Sequence, residues 1–414
     1  MNRGAVAEIN LSAIAHNLET LKKITKNRTV IAVVKADAYG HGSIEVSKRL
    51  IQEGVSYLAV AYTGEAIHIR NAGITAPIIV LFDCQDIEDF FDFNLIPVIH
   101  DITTALAISR KAIEKKRKLK IHVKIDTGMG RLGLSSDHII EDLLNIADME
   151  GMELAGLMSH FSDADLSDRS YASVQLERFN KIRETLFKKL NQKIFSHIAN
   201  SAAVLTFNDA HLDAVRPGLM LYGYSPLGQN TPSLTLPPRG GGQGWGGDSE
   251  PRTLASGESP RRPNSELQDL IPAMRVKTNV LSIRYLPPNF PISYGRSFVT
   301  KRQSKIGVLP IGYADGYNRL FSNNAEVLVG GRRVPVAGRV CMDLTMVDLT
   351  EVRDVKEGDE IVILGQQGNE SIAAYELADK AGTIPYEILT SLGSYSRKEY
   401  INKPISSYGK NSML

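Results

Sequence analysis

The stretch VIAVVKADAYGHG, residues 30–42, sets a lysine at the end of an apolar run. Val30, Ile31, Val33 and Val34 read as a buried strand, Lys35 ends it, and Tyr39 follows just before the Gly40–His41–Gly42 turn. A lysine at a dry strand end suits Schiff-base chemistry, because desolvation and cationic neighbours disfavour the ammonium and free the amine as a nucleophile. Other polar residues close other apolar runs: Lys124, Asp126 and Arg131 around KIDTGMGR, His160 in SHF, Asn200 and Ser201 in ANS, and Arg216 in VRPG. Singly, each has a plainer reading as a surface charge or a packed or capping side chain. Projected into one mouth, they would make a site.

Asn200, Ser201 and the backbone amides around Gly218 and Leu219 suit a phosphate. With the lysine, they point to pyridoxal phosphate, whose aldehyde condenses with an amine and whose ring delocalises a carbanion. These residues leave the reaction itself open. GMGRLG, residues 128–133, matches the dinucleotide pattern GxGxxG. That pattern belongs at the first turn of its unit and opens directly into a helix, whereas here LSSD intervenes, so nicotinamide binding is not expected.

Positioning such residues requires strands that end together. After an opening helix with Leu11, Ala15, Leu18, Leu21 and Ile24 at helical spacing, apolar runs stand near 30, 57, 77, 95, 120, 152, 195 and 214. Helical patterns such as TTALAISRKAIEKK separate them. Runs without alternation indicate strands buried on both faces. Eight of them over about 220 residues predict an α/β fold with an N-terminal (β/α)8 TIM barrel; an open doubly wound sheet is the alternative. From residue 274 onward, short β-branched strands between Gly-, Pro- and Asp-rich turns predict a C-terminal all-β domain, interrupted by the helical IAAYELADKAG. The expected division is 1–230 for the cofactor-binding barrel and 270–414 for the β domain. Between them, 233–265 is rich in Gly, Pro, Ser and Arg, and reads as a disordered surface insertion that loops out.

The chain has 414 residues, enough for two cores, with a formal net charge of +2 that gives no pull towards nucleic acid or a membrane. Cys84 and Cys341 are its only cysteines, so no disulfide framework is expected. No run of about 18 apolar residues and no signal-peptide pattern is visible, and a cytoplasmic location is the expectation. No metal site is expected.

These motifs together resemble the alanine racemase family of barrel-type (fold-type III) pyridoxal-phosphate enzymes. AVVKADAYGHG is similar to that family's cofactor-lysine motif, and the likeness continues through KIDTGMGRLG, SHF, ANSAA, VRPGLMLYG, ISYGRSF, IGYADGY, GRVCMDLTMVD and GTIPYEI. The resemblance implies an isomerase that interconverts L- and D-alanine by two bases, supplying D-alanine for peptidoglycan and cell wall biogenesis. It implies that Lys35 holds pyridoxal 5'-phosphate, with Tyr39, Asn200, Ser201, Gly218, Leu219 and Tyr386 around the phosphate region. Arg216 would face the pyridine nitrogen, His160 would pack over the ring, and Arg131 would bond its phenolic oxygen and help to hold substrate. Lys124 matches a lysine carbamylated in many members. Tyr294 would be the second base, Met342 would offer its amide to the substrate carboxylate, and Tyr313 would line the entrance. In the family the second base arrives from another subunit, so a homodimer with shared active sites is expected. An arginine at the ring nitrogen implies a weaker electron sink and fewer side reactions. A decarboxylase of related fold, a non-catalytic cofactor-binding barrel and a racemase of another small amino acid stand as alternatives.

Overall fold

In the computed structural model, which describes residues 4–228 and 269–404, the first strand belongs to the far end of the chain. This strand, β1 (Val6–Asn10), pairs antiparallel with Met274–Asn279 and parallel with Arg397–Ile401. It therefore crosses the division expected at residues 1–230. The reason is its alternation: Ala7 and Ile9 face inward onto Met274 and Val276 in the second core, while Glu8 turns outward to Arg275 and Lys277. Asn10 then caps the helix Leu11–Ile24, its side chain accepting from the Ser12 amide at 3.0 Å.

The next eight strands close the barrel. They are β2 (Thr29–Val33), β3 (Tyr57–Val60), β4 (Ile78–Val80), β5 (Ile96–Ile99), β6 (Leu119–Lys124), β7 (Met152–Met158), β8 (Phe195–Asn200) and β9 (Ala214–Arg216). Each pairs in parallel with the next, and β9 returns to β2. The eight apolar runs of the sequence are these eight strands in order. The alternative of an open sheet is excluded by the β2–β9 closure. GMGRLG forms a loop gathered on Asp126, whose Oδ1 accepts from the Gly128 and Met129 amides at 2.8 Å each, and no helix starts before Ile139–Asp148.

The C-terminal sheet runs through β15 (Glu326–Val329), with β16 (Arg332–Pro335) at its edge, then β18 (Glu360–Gln367), β10 (Met274–Asn279), β1 and β20 (Arg397–Ile401). A smaller sheet joins β11 (Ser282–Leu286), β14 (Ser304–Leu309) and β17 (Thr345–Asp348). The β domain is not purely β. Besides Ala374–Ala381, a second helix spans Pro385–Tyr395, with proline at its first turn where no intrahelical donor is needed. That helix reaches back over the barrel mouth.

Asn17 joins the two regions. Its amide donates to Leu221 O and Ile271 O at 3.1 and 2.9 Å, and its oxygen accepts from the Ile271 amide at 2.8 Å. Both flanks of the 233–265 segment are thus held by one buried side chain; the segment itself lies outside the described residues. Among the described helices none is long and apolar enough to cross a membrane.

Candidate active site

A cavity of about 720 Å³ opens at the C-terminal ends of the barrel strands, where this architecture carries its chemistry. Lys35, Tyr39, Lys124, Arg131, His160, Asn200, Ser201, Arg216, Gly218, Leu219 and Tyr386 all line it. The last comes from the helix Pro385–Tyr395, so the β domain completes the wall.

Lys35 starts a turn that its sequence does not announce. Ala36, Asp37, Ala38 and Tyr39 all have positive φ, from 51° to 55°, before Gly40 at 82°. Four consecutive non-glycine residues in the left-handed region are rare, since each costs roughly 1–2 kcal/mol. The result lifts the Lys35 side chain against Phe82, whose ring centroid lies 5.4 Å from Nζ. Arg131 approaches the same ring at 5.4 Å. Burial and Arg131 lower the Lys35 pKa, with Glu65 opposing them. The amine is thereby made more available as a nucleophile.

Arg216 is buried beneath the cavity, with four acceptors around its two terminal nitrogens. Nη1 donates to His197 Nδ1 at 2.6 Å, and Nη2 points to Ser159 O at 2.6 Å, Ile198 O at 3.0 Å and His160 Nδ1 at 3.3 Å. Burial pushes its pKa down, yet four acceptors around a group that can only donate hold it as the cation. His197 in turn lies 3.0 Å from His122 Nδ1. Because Arg216 takes His197 Nδ1 as an acceptor, the His197 proton sits on Nε2 and is donated to His122. Burial and Arg216 depress both imidazoles, His122 to about 3, so they are neutral at physiological pH.

Lys124 is 1 % exposed, and its Nζ makes no hydrogen bond. Burial, Arg131 and Arg216 pull its pKa down to about 8. Asp126, two residues on, holds the loop that carries Arg131, accepting from the Arg131 amide at 3.2 Å.

At the opposite wall the Gly218 amide donates to Ser201 Oγ at 2.9 Å. A Cβ on Gly218 would stand 2.4 Å from the Tyr39 hydroxyl, so glycine is needed for that close approach. Tyr39 packs on Tyr222 and Tyr386, with centroids 4.9 and 5.8 Å away. Burial pushes the Tyr386 phenol up to about 12, leaving it a neutral hydrogen-bonding group.

Tyr294, Tyr313 and Met342 are not in this cavity. They form a second group on the β domain, exposed by 70 %, 43 % and 53 %. Ser293 Oγ donates to Arg339 O at 2.6 Å, while the Tyr313 and Ala314 amides donate to Cys341 O and Met342 O at 3.0 Å each. These bonds tie the three loops together. Ser293 (φ 62°, ψ −178°) and Arg296 (φ 50°) are strained backbone on either side of Tyr294.

Sequence reasoning missed Phe82, His122, His197 and Glu65. The histidines stand at inward positions of β6 and β8, which alternation could have flagged. Glu65, at the third position of the helix Thr63–Asn71, accepts the Tyr62 amide as the acidic half of a capping box does, but nothing local shows that it also reaches Ala36.

The chain matches the family description "Alanine racemase, N-terminal domain" over residues 9–226 and "Alanine racemase, C-terminal domain" over 273–400. It is 46 % identical over 405 residues to an alanine racemase of Thermodesulfovibrio yellowstonii, covering 97 % of this chain and 99 % of that one. A solved alanine racemase from Clostridium difficile, in complex with cycloserine, is similar with TM-score 0.82 and 30 % identity, covering 97 % of both chains. Another, from Bartonella henselae with covalently bound pyridoxal phosphate, has TM-score 0.79 at 27 % identity, covering 96 % of this chain and 99 % of that one.

Proposed function

The chain belongs to the alanine racemase family, and from that premise we propose that it interconverts L- and D-alanine with pyridoxal 5'-phosphate held at Lys35 and two opposed bases, Lys35 and Tyr294. The observation that carries this reading is the charge of the cavity. Lys35, Lys124, Arg131 and Arg216 line it, and Glu387 is the one carboxylate in the lining described. Such a wall suits a phosphorylated ring together with an amino-acid carboxylate.

The residues fit that cofactor. The Gly218 amide donates to Ser201 Oγ, and Leu219, Asn200, Tyr39 and Tyr386 line the same cavity, a set that would seat a phosphate. Arg216 stands where a pyridine nitrogen would meet a donor, and His160, bonded to Arg216, offers its ring face. When bound, the cofactor supplies a conjugated electrophile that delocalises the charge left by the departing α-proton.

The protein's own groups do the rest. Lys35 anchors the cofactor and moves a proton at Nζ on one face of the substrate, by resemblance that of the D-enantiomer. The Tyr294 phenol serves the other face. Arg131 and the Met342 amide hold the substrate carboxylate, and Tyr313 narrows the entrance. Arg216, cationic and without a carboxylate beside it, would keep a ring nitrogen unprotonated and so disfavour side reactions. The Lys124 amine, unpartnered and with its pKa at about 8, is set to add carbon dioxide: an N–C bond forms, a proton leaves to water, and the resulting anion orients Arg131.

Tyr294, Tyr313 and Met342 form one exposed group while the cavity lacks them, which supports a homodimer in which each copy completes the other's site. D-alanine made this way would feed peptidoglycan, in the cytoplasm. The test is incubation of the full chain with L-alanine and pyridoxal phosphate in heavy water. Optical rotation decaying to zero with deuterium entering the α-position is expected. Exchange without loss of rotation would overturn the two-base reading, and no exchange at all would return the chain to the cofactor-binding-barrel alternative. A sample that remains fully active as a monomer in sedimentation at assay concentration would overturn the shared site.

A further inference from the structure

We propose that Glu65 is a positioning residue that holds the Lys35 turn in its left-handed conformation and so aims the amine. The proposal rests on the reading of Lys35 as the cofactor's anchor. The carboxylate lies on the helix Thr63–Asn71, yet it accepts three backbone amides from two segments. Oε1 takes the Ala36 amide at 2.5 Å, and Oε2 takes those of Ala61 and Tyr62 at 2.7 and 3.1 Å. Ala36 is the first of the four left-handed residues, and its amide is the one next to Lys35. Backbone held at such angles persists only where its surroundings over-determine it. Charge-assisted bonds to a carboxylate are the strongest available for that purpose.

The other end of the turn is held by a second carboxylate. Asp37 Oδ1 accepts the Ser43 amide at 2.7 Å, and Oδ2 pairs with Lys398 Nζ of β20 at 2.9 Å. On the Lys35 side the turn is held by Glu65 together with the backbone bond from the Ala38 amide to Val34 O at 2.8 Å, and the Glu65 negative charge opposes the loss of the Lys35 proton that burial and Arg131 promote. A residue that only capped its own helix would have no reason to reach Ala36, 29 residues earlier.

Three variants of the full-length chain, stripped of cofactor, separate these roles. Pyridoxal phosphate is added across a range of pH, the link is trapped with borohydride, and the modified residue is located by mass spectrometry. Glu65→Gln keeps one acceptor where three amides need two oxygens. It is expected to slow attachment at Lys35 on the order of 10- to 100-fold, with the midpoint of its pH profile lowered. Glu65→Asp keeps the charge but loses the reach, and slows attachment without that lowering. Adding Ala36→Gly to Glu65→Gln removes steric cost at a positive φ, and is expected to restore much of the lost rate. Glu65→Gln attaching at the wild-type rate, or no rescue by glycine, overturns the proposal. If Glu65→Gln alone yields no folded protein, the double variant decides: soluble protein that attaches the cofactor supports the clamp, and a second failure overturns it. Failure of the wild-type chain to be labelled at Lys35 would instead sink the anchor reading, and is seen separately.

Discussion

Arg216 donates to His197 Nδ1 at 2.6 Å, and that bond sets the protonation of the imidazoles behind it. A guanidinium has no lone pair to offer, so His197 must accept at Nδ1 and pass its Nε2 proton to His122. A cation beneath the cavity is thus backed by neutral rings, with no carboxylate in the chain of contacts. That arrangement keeps positive charge facing the site.

Buried imidazoles also make stability depend on pH. His41 is buried, with its pKa down at about 4, and His122 is at about 3, whereas unfolded histidine titrates near 6.5. Below about 6.5 the unfolded chain therefore binds protons that the folded chain refuses, so stability is full above that value and falls as pH drops towards the folded pKa values. Between about pH 7.5 and 5 the loss is about 2 kcal/mol for each such buried imidazole. Urea midpoints across that range check this; a flat profile would show that the rings are protonated in the fold.

On the proposed mechanism, Lys35→Ala removes both the anchor and one base. Racemisation is expected to fall by at least ~10⁴-fold, the upper range for one acid–base group, and borohydride labelling by pyridoxal phosphate is expected to vanish. Initial rates in both directions and intact-protein mass measure the two effects. Labelling that persists at another lysine would refute Lys35 as the anchor.

Tyr294→Phe leaves the cavity intact, because the side chain lies outside it and is 70 % exposed. Racemisation is expected to drop roughly 10²- to 10⁴-fold, while D-alanine still exchanges its α-proton with heavy water through Lys35. Proton NMR of each enantiomer separates exchange from inversion. Equal loss of exchange from both enantiomers would mean that Tyr294 is not a face-specific base.

Lys124 should take up carbon dioxide. Its amine becomes largely neutral as pH rises through about 8, so incorporation increases across that value. Protein equilibrated with ¹³C-labelled carbon dioxide is expected to show one carbamate carbonyl resonance by NMR, and Lys124→Met is expected to lose it. A spectrum without the resonance at high pH would leave Lys124 an ordinary buried amine.

Much of the fold and of the cavity was legible because the signals are local. Unbroken apolar runs such as VIAVV, with few polar residues to face solvent, can only lie in a layer covered on both sides. Residues ending those runs share one rim once the barrel closes, which is why Lys35, His160, Asn200 and Arg216 meet. The alternation in VAEIN was equally visible, but its partners in β10 and β20 lie more than 260 residues away in sequence, and alternation does not name a partner.

The amino-acid sequence by itself determined the eight strands, the lysine at the first barrel strand's end, and the family to which the chain belongs, since periodicity and motif are carried by near neighbours. Only the tertiary structure decided the rest. No glycine marks residues 36–39, and the left-handed turn there meets groups from remote segments, the Glu65 carboxylate at the Ala36 amide and the Lys398 amine at Asp37, which the local chain does not encode. The exposed group of Tyr294, Tyr313 and Met342, set apart from the cavity, likewise follows from how three β-domain loops bond to one another, a relation between remote backbone segments that no local spacing encodes.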